Sequence, residues 1–308
     1  MTKSRRGFTI VELLLSMTIA LVVITGATEF TVSSWKTRRG WTTRESVDRG
    51  ARFVGLSLAR DVQEAGIAIE STPTFASLGT FNDTISILSV PYTPAEAPVH
   101  SIYDDGDTLP YYPPGGNCGT TCIEFVQQGG ALDLQAGDLA RLQIGSTRRL
   151  LYLTSVADQG NGRFQVQFLN VPAMLGREAG LDSALLSRSG STIQRLNAIV
   201  YWHDPVGKAL YRATSFNSAG QPVGQLLASN VEDFQASLLF INNGESPSYD
   251  GLDSDTLNDG NDIIGARIRA QMKADRTDPS VNSGQPVLRW YEWKVSPRNL
   301  LYEKNRSN

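Results

Sequence analysis

Histidine is scarce in this chain, which has only two, His100 and His203, among its 308 residues. The motifs H-E-x-x-H, G-x-S-x-G and the glycine-rich Walker loop are all missing from the sequence. They supply the zinc ligands of metalloproteases, the nucleophile of α/β-hydrolases and the phosphate cradle of nucleotidases. We therefore expect no enzyme activity and no cofactor. His203 follows Trp202 in a predicted strand, and we interpret it as a packed side chain.

Cysteine is equally scarce, and the two residues lie close together as Cys118-Gly-Thr-Thr-Cys122. A structural zinc site built on cysteine needs a second pair, which the chain lacks. The spacing favours one local disulfide in an oxidising compartment, with two reduced surface thiols as the alternative. A loop this short would stabilise the fold by only about 2 kcal/mol, so it would fix a turn and not the whole domain.

Neither sign of charge dominates, because 28 basic residues face 31 acidic ones and the net charge is −3. Such a balance gives no global attraction to nucleic acid. One basic cluster stands out; it comprises Lys36, Arg38, Arg39, Arg44, Arg49 and Arg52. We interpret the cluster as interfacial and solvated, with contact to phosphate or DNA as the alternative. Nucleic acid therefore ranks last among the expected partners.

Proline is absent before Pro73, which permits one long N-terminal helix. Its second half carries one apolar stripe at three-to-four-residue spacing, formed by Val47, Ala51, Val54, Leu58 and Val62. Gly66 is a plausible end signal, and Gly40 is the point at which the helix would break if it did. We expect a helix from Phe8 to about Ala65, with its first half in lipid.

The N-terminus combines a basic leader with an apolar run. Residues 1–7 include Lys3, Arg5 and Arg6, and residues 8–27 are mostly apolar with Glu12 as their one acid. A signal peptide cleaved near Ala27 and a plain signal anchor are alternatives. A carboxylate near the bilayer centre costs roughly 2.5 to 3.5 kcal/mol, so neither alternative explains Glu12.

The segment Gly7-Phe8-Thr9-Ile10-Val11-Glu12-Leu13 resembles the cleavage motif of type IV prepilins. The resemblance implies that prepilin peptidase cuts between Gly7 and Phe8, that Phe8 is then N-methylated, and that Glu12 is retained. From the residues alone, Glu12 has two possible roles. It fits a capping box with Thr9, and it could also neutralise the new α-amine of Phe8 in a neighbouring subunit.

Later segments extend the resemblance to PilW-type minor pilins, and the first of them also occurs in the J-component pseudopilins of type II secretion. These segments are Leu58 to Gly66, the Tyr201-Trp202 to Leu210-Tyr211-Arg212 hairpin, Ser229 to Gln235, Ala266-Arg-Ile-Arg269 and Arg298-Asn299. The resemblance implies a minor pilin that helps to initiate and assemble a type IV pilus, near its tip. Alternatives are a tip-located adhesin, a DNA-uptake module or a minor pseudopilin.

The same resemblance implies a set of partners and a location. The expected partners are prepilin peptidase, other minor pilins, the major pilin, the inner-membrane assembly platform and, before assembly, membrane lipid. The leader would be cytoplasmic and the head periplasmic, on a single span of the inner membrane. After assembly the subunit would belong to a cell-surface pilus.

After residue 80 the pattern of apolar and polar residues becomes typical of strands. Alternating apolar residues predict strands at Thr84–Val90, Cys122–Val126, Arg149–Val156, Arg163–Leu169, Ile199–Trp202, Ala209–Arg212, Val231–Ile241, Ile263–Lys273 and Val287–Val295. The stretch from Pro91 to Gly119 is rich in proline and glycine and predicts a long loop or a small subdomain. The expected fold is α+β and pilin-like: a long N-terminal helix packed on a β-rich head of antiparallel sheets.

The expected organisation has four parts. They are a leader at 1–7, a membrane or filament-core helix at 8–27, its periplasmic continuation at 28–66, and a head at 67–308 that contains the loop at 91–119. Within the head, Asp253, Asp255 and Asp259 form a candidate calcium loop, although the ligand order of an EF-hand is not kept. A solvated turn is the alternative for that loop.

Overall fold

The computed structural model describes residues 9–81, 83–92, 96–103, 122–128, 132–145, 147–170, 190–249, 258–275, 277 and 284–298. The predictions for Gly7, Phe8, Cys118, Asp253 and Asp255 lie outside the described residues. The chain forms two compact units, one of Met1–Arg49 with Lys273–Arg289 and one of Gly50–Met272 with Trp290–Asn308.

The first element, α1, is a helix of 54 residues at Ile10–Gln63. It runs through Gly40 without a break, so the helix prediction is confirmed. The predicted apolar stripe from Val47 to Val62 is buried throughout. Gly66 follows the helix with a φ of 77°, which suits glycine, and its N–H donates to the Leu88 carbonyl at 3.0 Å. The chain therefore leaves the helix at the point where its backbone is hydrogen bonded to the segment that contains Leu88.

Among the residues that the structure describes, fourteen strands make up the β-rich part. They are β1 Leu78–Phe81, β2 Thr84–Ser89, β3 Val99–Ile102, β4 Cys122–Val126, β5 Leu139–Ile144, β6 Thr147–Gly160, β7 Arg163–Asn170, β8 Thr192–Asp204, β9 Ala209–Phe216, β10 Pro222–Ser229, β11 Val231–Phe240, β12 Glu245–Ser246, β13 Ile263–Lys273 and β14 Leu288–Val295. Each strand predicted from alternation is present. The strand β3 lies inside the stretch 91–119, so the interpretation of that stretch as a loop is wrong at 99–102.

The long strand β8 belongs to two sheets. Its second half pairs with β2 and with β9, which continues the order β1-β2-β8-β9-β10. Its first half pairs with β3 on one side and with β5 on the other. Since β3-β4-β7-β6-β5 are also paired in that order, these five strands and β8 close into a six-stranded antiparallel barrel.

The barrel has an apolar interior. Apolar side chains from five of its strands and a neighbouring loop fill it; the buried ones are Ile123, Phe125, Leu134, Ala140, Leu142, Ile144, Leu151, Leu153, Val166, Phe168 and Ile193. A second core lies outside the barrel, where Leu139, Leu150 and Tyr152 pack with Phe75 and Leu88. The barrel wall therefore serves two cores, one on each of its faces.

The remaining strands form a separate antiparallel sheet in the order β12-β11-β13-β14. In the unit of Gly50–Met272 and Trp290–Asn308, α1 meets this sheet at Gly55, where an added Cβ would lie 2.2 Å from the Trp293 indole nitrogen. Phe234 and Phe240 are fully buried on the inner face. In the other unit, Arg289 Nη1 donates to Asp48 Oδ1 at 3.0 Å.

Candidate functional site: the N-terminal helix and its attachment to the head

The first turn of α1 is capped by its own side chains. The Thr9 backbone N–H donates to Glu12 Oε2 at 3.0 Å, and the Thr9 hydroxyl donates to the same oxygen at 3.0 Å. The Glu12 N–H in turn donates to Thr9 Oγ1 at 3.3 Å. This reciprocal arrangement is the capping box that the sequence allows. In the isolated chain Glu12 therefore has a local partner for its charge.

The helix that follows is apolar on every side. From Ile10 to Val32 it carries only two charged residues, Glu12 and Glu29, and its side chains are exposed all round. Hydroxyl groups inside this segment are satisfied locally, since Thr25 donates to the Leu21 carbonyl at 2.8 Å. At about 1.5 Å per residue the segment is roughly 34 Å long, enough for a hydrocarbon core of about 30 Å.

A ring of basic and aromatic residues follows the apolar segment. Its members are Trp35, Lys36, Arg38, Arg39 and Trp41, and all are exposed. Successive residues of a helix are rotated by about 100°, so these five are distributed around the helix axis and not along one face. Trp35 and Trp41 are 64% and 73% exposed. Tryptophan and arginine in this position are typical of a membrane–water interface.

Within the part of the chain that the structure describes, α1 is the one helix long and apolar enough to cross a membrane. Residues 2–28 match the family model of the prokaryotic N-terminal methylation motif. The match supports a type IV pilin-like protein. No curated protein matches the chain. No solved structure matches it.

The pilin-like motif and the apolar helix together fit a protein anchored in the inner membrane. The motif covers the leader, the predicted cut between Gly7 and Phe8, and Glu12. Since Gly7 and Phe8 lie outside the described residues, the cut and the methylation stay predictions. The match ends at residue 28, so it carries no information about the head.

The head holds the end of α1 through a buried polar cluster. Asp61, in the last turn, accepts hydrogen bonds from the Tyr201 hydroxyl and from Arg212 Nε, the latter at 2.6 Å. Arg212 Nε also lies 3.2 Å from the Tyr201 hydroxyl oxygen. Burial, followed by the bond to Asp61, raises the pKa of Tyr201. The bond to Asp61 also raises the pKa of Arg212, so the guanidinium stays charged.

Two of the segments singled out in the sequence therefore meet in space. Asp61 comes from the segment Leu58 to Gly66, and Tyr201 and Arg212 come from the β8–β9 hairpin. Sequence order alone did not reveal the contact, because Asp61 and Arg212 are 151 residues apart. A charged residue that interrupts an otherwise apolar helix face was the only local signal. The contact between these segments attaches the end of the helix to the sheet.

Both histidines are buried and have local partners. His203 Nε2 lies 2.8 Å from the Val231 carbonyl, as expected for a packed side chain. His100 Nε2 lies 2.8 Å from Asp133 Oδ1, and His100 Nδ1 accepts the Gln128 backbone N–H at 2.9 Å. Because Nδ1 is an acceptor, the Nε2 proton is donated to Asp133. Both ring nitrogens of His100 are thus engaged in holding a loop against the barrel.

Two further sequence predictions are only partly within the described residues. Cys122 is fully buried at the start of β4, while Cys118 is outside the described part of the chain, so the disulfide stays a prediction. Asp259 is buried, but Asp253 and Asp255 are likewise outside. The calcium loop therefore also stays a prediction.

Proposed function

We propose that this chain is a minor type IV pilin of the PilW type, cut by prepilin peptidase and incorporated near the tip of a pilus. The observation that carries the proposal is the match to the methylation motif at residues 2–28, together with a helix that begins inside this match and is exposed and apolar over its first 23 residues, Ile10–Val32. A surface of this kind is stable only in lipid or among like helices.

The basic and aromatic ring supports a defined depth in the membrane before assembly. With Trp35 at the outer headgroups, Glu12 lies about 35 Å further along the helix, at about 1.5 Å per residue. That distance exceeds the hydrocarbon core of about 30 Å, so Glu12 and the Gly7–Phe8 bond would sit at the inner surface. This placement is compatible with the cytoplasmic leader and periplasmic head that we propose.

The size of the head supports a low-copy position. In addition to the two sheets, the head contains a six-stranded barrel, which the sequence inserts between β2 and the second half of β8. A subunit repeated along a helical shaft must fit between identical neighbours, whereas a tip subunit has neighbours on one side only. We therefore place the chain in a tip complex, with other minor pilins and then the major pilin below it, on the inner-membrane assembly platform.

Mass spectrometry and N-terminal sequencing of the membrane-bound chain, with and without prepilin peptidase, test the proposal. We expect a mature protein that begins at N-methylated Phe8, and the full-length chain when the peptidase is missing. A chain that keeps residues 1–7 in both strains, or that is cut near Ala27, would contradict it.

The position of the subunit in the pilus is tested separately. Tagged protein should be found in sheared pili at far lower copy number than the major pilin, and its deletion should reduce pilus number. A copy number equal to that of the major pilin would contradict the tip position and leave the processing result intact.

A further inference from the structure

A groove crosses the outer face of the sheet β12-β11-β13-β14. It consists of two adjoining cavities of about 340 and 410 Å³, which share Gln235 and Arg269. One cavity ends at Trp290 and Glu292 of β14; the other is lined by residues 235–237, 245–247, Arg267 and Arg269. Four strands at about 4.8 Å spacing make the groove about 14 Å wide across the sheet. The volume of each cavity lies in the range of small-molecule binding sites.

The charges in the groove compensate one another. Arg267 pairs with Glu245, and its Nε lies 3.4 Å from Glu292 Oε1. Arg269 Nε donates to Glu292 Oε2 at 2.9 Å. Two guanidinium groups thus meet two carboxylates, which leaves no net charge to attract an anion or a cation. This balance favours an uncharged ligand.

Arg267 lies on the groove floor, where its buried Nε faces Glu292 Oε1 at 3.4 Å and its Nη1 pairs with Glu245. A guanidinium carries five N–H donors, and those that its two carboxylate partners do not use can donate to a ligand oxygen. Gln235 adds an exposed amide, with both donor and acceptor groups, beside it.

Trp290 supplies an apolar wall to this polar groove. It is 46% exposed although it lies in a strand, and its position in β14 puts it at the end of one cavity. A flat aromatic ring beside planar amide, guanidinium and carboxylate groups suits a molecule that has both C–H faces and hydroxyl groups. Sugar rings have this combination, whereas lipid tails lack the hydroxyls.

We propose that this groove binds a neutral oligosaccharide. One sugar ring packs on Trp290, and hydroxyl groups of the next rings hydrogen bond with Arg267, Arg269, Glu292 and Gln235. The inference goes beyond the assembly role proposed above, since it gives the head a ligand of its own. It depends on the head only, and a failure of either proposal leaves the other in place.

The test uses the full chain in lipid nanodiscs, because sugar-based detergents would compete for the groove. The labelled protein is first applied to an array of neutral and acidic oligosaccharides, and its affinity for the best neutral glycan is then measured by calorimetry. Trp290→Ala and Gln235→Ala are the test variants. Leu288→Ala is the matched control, since Leu288 is 50% exposed in the same strand but does not line either cavity.

We expect at least one neutral oligosaccharide to bind, with an affinity that about 0.5 M salt leaves unchanged, because no net charge is involved. Trp290→Ala should weaken binding about tenfold or more, Gln235→Ala several-fold, and Leu288→Ala less than about twofold. The proposal is overturned if the folded protein binds no neutral glycan, or if it binds only acidic glycans in a salt-sensitive way. Equal affinity in Trp290→Ala would also overturn it.

Discussion

Arg212 Nε donates to Asp61 Oδ2 at 2.6 Å, and this bond joins the last turn of α1 to β9. The Asp61 side chain is 6% exposed and that of Arg212 is 31% exposed, so the pair is largely withdrawn from water. A buried charge left alone is far more costly than one with a partner. Together with the apolar stripe of α1, the bond therefore determines which turn of the helix packs against the sheet.

Asp61→Asn should lower the free energy of unfolding by about 2 to 3 kcal/mol, because Arg212 loses its charged partner while the shape is kept. Urea unfolding of the full chain, followed by near-UV circular dichroism, measures the change. Arg60→Ala is the control: Arg60 and Glu64 form an exposed pair at 3.8 Å, and its loss should cost less than about 0.5 kcal/mol. Adding Arg212→Gln to Asp61→Asn should cost less than the sum of the two single changes; simple additivity would refute the coupling.

Gly55→Ala should destabilise the head, although alanine is the better helix former by about 1 kcal/mol. The new Cβ would lie 2.2 Å from Trp293 Nε1 and 2.7 Å from Cε2, so the indole ring has to move. Overpacking of this kind costs about 1 to 3 kcal/mol. Gly26→Ala is the control, because nothing lies within 4 Å of its added Cβ. A thermal midpoint in Gly55→Ala equal to that of the parent would contradict the contact.

Substitution of Glu12 separates its two possible roles. Glu12→Gln keeps the oxygen that Thr9 needs for the capping box but removes the charge, and Glu12→Ala removes both. If the charge neutralises the amine of a neighbouring Phe8, both variants should enter the membrane normally and be reduced in sheared pili. Quantitative immunoblots of membranes and pili measure this. Normal incorporation of Glu12→Gln would show that capping alone is required.

The titration of Glu292 should depend on Arg269. The hydrogen bond from Arg269 lowers the pKa of Glu292, so the folded value lies below the unfolded value of about 4.3. The ion pairs of Glu292 are then fully formed above a pH of about 4.3, and their contribution is lost as the pH falls through the lower folded pKa. Arg269→Gln should move the Glu292 titration upward. Carbon-13 NMR of labelled glutamate, assigned with Glu292→Gln, measures it; an unchanged titration would contradict the assigned cause.

Much of α1 could be predicted, because its signals are local. A stripe from Val47 to Val62, the absence of proline and the glycine at 66 are all read within a few residues of one another. The β8–β9 hairpin was equally accessible, since Asp204-Pro-Val-Gly207 contains its own turn and Asp204 Oδ1 accepts the Val206 N–H at 2.9 Å. Both elements are determined by neighbours in sequence.

The barrel could not be predicted, because its closure depends on distant pairs. Leu139 opposes Leu196 where β5 meets β8, and nothing near either residue specifies the other. The strand β10 was missed for a different reason: Pro222 and Gly224 argue against a strand. Gly224 is nevertheless suited to its place, because an added Cβ would lie 2.1 Å from the Trp202 ring. Packing against a neighbouring strand overrides the local preference there.

The candidate site likewise has one part that could be predicted from the sequence and one part that could not. The motif from Gly7 to Leu13 is contiguous and could be recognised from these seven residues. The cluster of Asp61, Tyr201 and Arg212 combines the helix α1 with two strands, and the groove at Trp290 is formed by several strands. Only their separate members were therefore visible in the sequence. Arg269 had been noted as part of the segment Ala266-Arg-Ile-Arg269, but its contact with Glu292 depends on the pairing of the strands in the sheet.

The insertion point of the barrel has a consequence for how this head can diversify. The chain leaves the first sheet after Ser89 and returns at Asn197, and these two residues are directly opposite partners in the β2–β8 pair. Everything between them is topologically a single hairpin connection. Its length and content can change without shifting the register of β2, β9 or α1, provided that an apolar wall like that of Leu139, Leu150 and Tyr152 still covers Phe75. The barrel can therefore be replaced by a different connection while β2, β9 and α1 keep their arrangement.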